Sequence, residues 1–210
     1  MTDIKRVSPV VFKAAPLKKE TRDHWEVVFE YDKEAQGPWI IDLSHIPRYD
    51  CQHNDLKTIT PFGMALPQVP GDSRLEKGIL ANRMNRTQVS LFNLAGDKTM
   101  PDDPVYTDVT EATLCLALIG KQIFEICEKL TALDFADPAK NVPFLYQGPF
   151  CHVPCQIVTL GREHGNEGIV LTCSRGYGRD MVHAILAAGR AFGLRPAGEL
   201  KFTKWLENLN

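Results

Sequence analysis

Two stretches of this 210-residue chain place residue types at spacings that could do chemistry. Cys151-His152-Val153-Pro154-Cys155 puts two thiols and an imidazole in one short run. Sulfurs sharing a zinc ion sit about 2.3 Å from the metal. If residues 151–155 are extended, their ends stand about 13 Å apart at roughly 3.3 Å per residue. That distance exceeds both chelation and disulfide reach, and only a tight turn would bring the pair together. Cys51-Gln52-His53 offers further ligand types, with nothing in the sequence to bring them near, and no metal-ligand set is assigned. The second stretch is Ser174-Arg175-Gly176-Tyr177-Gly178-Arg179. It opens a helical pattern, where free amides and two guanidinium groups favour a carboxylate or phosphate. Arg175, Tyr177 and Arg179 are the candidate ligand-binding residues. The competing reading is a strand-to-helix turn with solvated arginines.

Other sites of chemistry are not legible. The histidines (His24, His45, His53, His152, His164, His183) are scattered, without the spacing of a Ser-His-Asp or Cys-His set. There is no Walker loop, and no dinucleotide-binding glycine fingerprint followed by an acid. A net charge of -2 gives no global pull toward nucleic acid or anionic membrane. No window offers the roughly 20 apolar residues of a membrane span, and the first residues do not read as a secretory signal. The cysteines then read as reduced thiols of a cytoplasmic protein. Cys115, Cys127 and Cys173 fall on apolar stripes, as small core residues do.

The elements that must position these groups follow from periodicity. Residues 1–22, locally basic, read as an arm. Trp25, Val27, Phe29 and Tyr31 alternate as in a half-buried strand. A second extended run covers residues 39–43, and residues 61–74 read as a loop rich in proline and glycine. Strands are expected at 79–83 and 88–94, then a polar connection at 95–104. Residues 112–119 form a continuous apolar run suited to a buried strand. Ile123, Ile126, Cys127 and Leu130 then change the period to that of a helix over 121–132. Residues 137–150 read as a loop, 155–160 and 169–173 as a hairpin, 181–192 as a helix, and 199–202 as a closing strand. The fold class is α+β. The order over 105–204 is β-α-β-β-α-β, the ferredoxin-like arrangement, with residues 23–104 forming an N-terminal lobe.

Three stretches, in order, resemble the gamma subunit of heterotetrameric sarcosine oxidase: WIIDLSHIPRYDCQ, YTDVTEATLCLALIGKQIFEICEKLTALDF and GIVLTCSRGYGRDMVHAIL. The segment ALIGKQIFEICEKL also resembles the strand–Gly–helix element of aminomethyltransferases. Together these matches cover residues 39–202. The resemblance implies a two-lobed folate-binding fold and a small partner in a larger flavin-containing oxidoreductase. No cofactor is assigned; tetrahydrofolate is the alternative that the resemblance offers.

The same resemblance tests for an aminomethyltransferase site. The family's acidic residue in the second hairpin strand corresponds to Val170, which cannot accept the hydrogen bonds of a pterin ring. Glu167 is the nearest substitute and is expected in the exposed turn. SLFNLAGDKTMPDD is similar to the segment that ends in the family's catalytic aspartate, which would be Asp102 or Asp103. Too short a stretch separates them from the following strand, and an Asp-Asp pair beside prolines is commonly a solvated loop. The expectation is a non-catalytic subunit or accessory or assembly module. Its partner would be the larger subunits of a sarcosine-oxidase-like enzyme or another flavin or iron–sulfur complex, such as a sulfur-oxidising heterodisulfide-reductase-like system. The alternative is a tetrahydrofolate-dependent aminomethyl transferase using Asp102, Asp103 or Glu167.

Overall fold

The computed structural model describes residues 4–96, 99 and 102–209. Of the polar connection expected at 95–104, residues 97, 98, 100 and 101 lie outside the described residues. The chain opens with a two-stranded antiparallel ribbon, β1 (Pro16–Arg22) and β2 (Trp25–Tyr31). β1 lies where an arm is expected. Its charged run PLKKETR shows no alternation because the strand is exposed along almost its whole length. The strands β3 (Trp39–Asp42), β4 (Arg48–Gln52), β5 (Ser73–Glu76), β6 (Ile79–Arg83) and β7 (Gln88–Asn93) follow. β5 begins inside the expected loop, after the last of its prolines.

The second half holds β8 (Tyr106–Asp108), β9 (Thr113–Gly120), α1 (Ile123–Cys127), β10 (Phe144–Phe150), β11 (Val153–Gly161) and β12 (Glu167–Ser174). It ends with α2 (Gly178–Gly189), β13 (Arg195–Ala197) and α3 (Glu199–Glu207). Three expectations are corrected here. Residues 144–150, expected as a loop, form β10. Its Pro149 is tolerated because β10 is an edge strand, where a missing backbone donor costs little. Residues 199–202, expected as a strand, begin α3, whose buried Glu199, Phe202 and Trp205 follow helical spacing. The helix expected over 121–132 is shorter, although its buried residues Ile123, Ile126 and Cys127 are the expected ones.

β9 explains the architecture. It is a central strand with both faces covered, so its sequence is apolar throughout. Leu114, Leu116 and Leu118 point into one core with α1, α2 and the strand residues Ile157, Ile169 and Leu171. Cys115, Ala117 and Ile119 point into a second core with Leu80, Phe92, Phe202 and Trp205. A third core lies around Leu56, Met64, Ile79 and Leu91. The layers are therefore helices, a six-stranded sheet, and a five-stranded sheet. Burying each such Leu or Ile contributes about 1.5–3 kcal/mol.

The two sheets exchange strands between the halves of the sequence. The six-stranded order is β10-β11-β12-β9-β3-β13, and the five-stranded order is β5-β6-β7-β4-β8. β3, from the first half, pairs antiparallel with β9 and parallel with β13. β8, from the second half, pairs with β4. Over 105–204 the elements β9-α1-β11-β12-α2-β13 follow one another in the chain, with β10 added at the sheet edge and β3 inserted between β9 and β13. Arg48 pins this crossing. Its guanidinium is buried and donates to the carbonyls of Leu43, Ser44, Ile46, Thr110 and Thr113 and to the Thr113 hydroxyl.

Candidate functional site

The segment from Ser174 to Arg179 is a strand-to-helix turn, as its glycines imply. A 3-10 turn at Arg175–Tyr177 leads into α2. It is not open to a ligand along its length. One Arg175 guanidinium nitrogen donates to the Val7 carbonyl, and its plane lies over the Trp25 ring at 6.0 Å. A Cβ on Gly178 would meet the Pro9 carbonyl oxygen at 2.7 Å, so the chain's own N-terminal segment packs on the start of α2. Val10, in that segment, is buried in the helix-side core. Residues 7–10 of the expected arm are thus folded onto the start of α2, where the anion-binding reading needed open surface. Tyr177, 46% exposed, and Arg179 remain on the surface.

The carboxylates nominated for one-carbon chemistry do not converge. Asp102 and Asp103 are exposed, in the connection between β7 and β8. The Asp103 carboxylate accepts from the Val105 N–H at 3.0 Å and its carbonyl from the Tyr106 N–H at 3.0 Å. This is an aspartate turn that starts β8. Glu167 belongs to the other sheet, opposite Gly120. It is not in the exposed turn: it is only 5% exposed, and it accepts from the Phe124 N–H at the start of α1 at 3.3 Å. β12 begins at Glu167 itself, which draws the residue inward. Val170 lies between Val158 and Ala117 on the sheet face covered by Phe202 and Trp205 of α3. A Cβ on Gly168, one pleat away, would meet Trp205 at 2.1 Å, so the indole occupies that surface. The residues around Val170 therefore do not fit a pterin ring.

The thiols are arranged differently from their spacing in sequence. Cys151 and His152 form the two-residue turn between β10 and β11, both at positive φ (51° and 63°). Such a turn matches the twist of a hairpin. Cys155 lies on β11, in the helix-side core with Cys173 and Cys127. The Cys155 thiol donates to the Val153 carbonyl at 3.2 Å, and the β11–β12 register sets Cys155 beside Cys173. Among the described residues, no three His, Cys, Asp or Glu side chains are placed to hold a metal ion.

One cluster had no signal in the sequence. Glu199 at the start of α3 takes Arg22 and His45 on its carboxylate, with His45 Nε2 at 2.9 Å. Burial raises the Glu199 carboxyl, but hydrogen bonds from His45 and Arg22 outweigh it and hold the group below the usual range. Beside it, Asp42 accepts from Ser8 at 2.5 Å and from the Ser44 N–H at 2.9 Å. These partners are far apart in the chain, and no local pattern announces them. The network ties the N-terminal segment, the β1–β2 ribbon, the loop after β3 and α3 together.

No family model matches the chain, and no curated protein matches it. Solved structures do. A chain of the heterotetrameric sarcosine oxidase from Corynebacterium sp. U-96, in complex with pyrrole 2-carboxylate, superposes with a TM-score of 0.59 at 13% identity. That match covers 73% of this chain and 84% of that one. The glycine cleavage system aminomethyltransferase T from Bartonella henselae superposes with a TM-score of 0.60 at 14% identity, covering 89% of this chain. The chain spans 57% of that protein's length. At these identities the likeness shows a shared fold.

Proposed function

We propose that this chain is a non-catalytic subunit, or an accessory or assembly module, of a larger oxidoreductase. The observation that carries the reading is the likeness to a chain from a heterotetramer. The aligned stretch is 84% of that chain and 73% of this one, so the two chains are of similar size, that one being somewhat the shorter. Ile4, Val7, Val11 and Leu17 add support, because these apolar side chains stand exposed along one N-terminal segment. A contiguous exposed apolar patch is a common mark of a partner's contact. The partner class is the larger subunits of a sarcosine-oxidase-like enzyme, or of another flavin or iron–sulfur complex such as a heterodisulfide-reductase-like system. Among the described residues, no helix is long and apolar enough to cross a membrane.

The second reading, a tetrahydrofolate-dependent aminomethyl transferase, is favoured by the match over 89% of this chain to an aminomethyltransferase. Against it stand the buried Val170, the Trp205 indole over Gly168, and the placing of Asp102 and Asp103 in an exposed connection while Glu167 is buried at the start of β12. Calorimetric titration of the purified chain with tetrahydrofolate separates the two. The accessory reading expects no saturable heat. Saturable binding that is lost in Glu167→Gln or Asp103→Asn would move the assignment to the transferase.

A further inference from the structure

β11 and β12 run antiparallel, with Ile157 opposite Leu171 and Gln156 opposite Thr172. The next step along this ladder sets Cys155 opposite Cys173. Both residues belong to the same helix-side core, so both side chains lie on one face of the sheet. Opposed residues on antiparallel strands have Cα atoms about 4.5–5.5 Å apart. A disulfide spans about 4.4–6.8 Å between Cα atoms. All the cysteines are free. We infer that Cys155 and Cys173 form a redox-active dithiol, which a small organic disulfide converts into a bridge across β11 and β12.

The two thiols have distinct roles. Cys173 is lowered from the ordinary thiol range by its interaction with the neighbouring Cys155 thiol, although burial works the other way. The same contact, together with burial, raises Cys155. Cys173 is therefore the attacking group. Cys115 makes the contrast: it is fully buried, and burial pushes its thiol up to about 11. Cys155 and Cys173 lie where the ladder ends and keep 6% and 5% exposure, whereas Cys115 and Cys127 have none.

The reaction balances with a disulfide RSSR as oxidant. Cys173 loses its proton to solvent, and the thiolate attacks one sulfur, forming a mixed disulfide and releasing RS⁻, which takes up a proton from solvent. Cys155 then loses its proton and attacks the Cys173 sulfur, forming the bridge and releasing the second RSH. The protein dithiol is oxidised by two electrons, and RSSR is reduced to two RSH.

The test uses the full chain, reduced and then equilibrated natively with oxidised glutathione before alkylation and mass mapping. The expected result is a loss of two hydrogens in the intact mass, with Cys155 joined to Cys173 and the other cysteines alkylated. In Cys155→Ala, folded by circular dichroism, one glutathione is expected to remain on Cys173. In Cys173→Ala, no adduct on Cys155 is expected. The wild-type map decides even if neither variant folds. Full alkylation of every cysteine after native oxidation, a bridge that uses Cys151, or a glutathione on Cys155 in Cys173→Ala would overturn the inference.

Discussion

Arg22 forks onto the carboxylate of Glu199, joining two residues 177 positions apart in the chain. The pair ties the β1–β2 ribbon to α3, and His45 adds a link to the loop after β3. Glu199 also sits in the first turn of α3, where a negative charge suits the helix dipole. The ribbon that follows the N-terminal segment is thus tied to α3 through a buried carboxylate.

Glu199→Gln should remove the charge-assisted bonds and destabilise the fold by about 1.5–3 kcal/mol. The folded-state acidity of Glu199 is depressed, so its contribution is present above the ordinary carboxylate value of 4.5 and is lost as pH falls through the lower folded value. Urea unfolding at pH 7 and at acid pH should show wild type losing more stability below about pH 4.5 than Glu199→Gln does. Equal losses would show that Glu199 is not a source of the acid sensitivity.

Gly168 and Trp205 should behave as one unit. Gly168→Ala places a methyl group 2.1 Å from the indole and should cost about 1–3 kcal/mol. Trp205→Ala should cost about 3–5 kcal/mol. In the Trp205→Ala background, Gly168→Ala should be nearly neutral, giving a coupling energy above about 0.5 kcal/mol in a double-mutant cycle. Additive losses would mean that α3 does not rest on that glycine.

Arg48→Met should be among the most damaging single changes, at about 3 kcal/mol or more, because it strips donors from several buried carbonyls at once. A shift in the urea midpoint at constant slope would measure it.

Much of the fold is legible because burial imposes a period. β2, β3, β6, β7, β9, β12 and α2 lie where alternation, continuous apolar runs or helical spacing put them. The misses have physical causes. β1 is exposed on both faces, so LKKETR carries no alternation. Gly148 and Pro149 hide β10, because an edge strand can carry residues that a central strand cannot. Residues 199–202 supply one turn of α3, too short a window to separate helix from strand. The sites were less legible. Cys151 and Cys155 drew attention by proximity in sequence, while the partner of Cys155 is eighteen residues on, across a hairpin. Arg22, His45 and Glu199 meet only once the chain has folded.

Asp102→Asn and Asp103→Asn should change stability by no more than about 0.5 kcal/mol, because both side chains are exposed. They should also leave the activity of a native complex containing this chain unchanged. A hundredfold loss of turnover with stability intact would put chemistry on this chain.

The most direct test of the accessory reading is native purification of the untagged protein, with size-exclusion chromatography and mass spectrometry of the same peak. The prediction is stoichiometric co-elution with larger flavin or iron–sulfur subunits. Elution of the chain alone, with a folate mass retained, would contradict it and return the search to Asp102, Asp103 and Glu167.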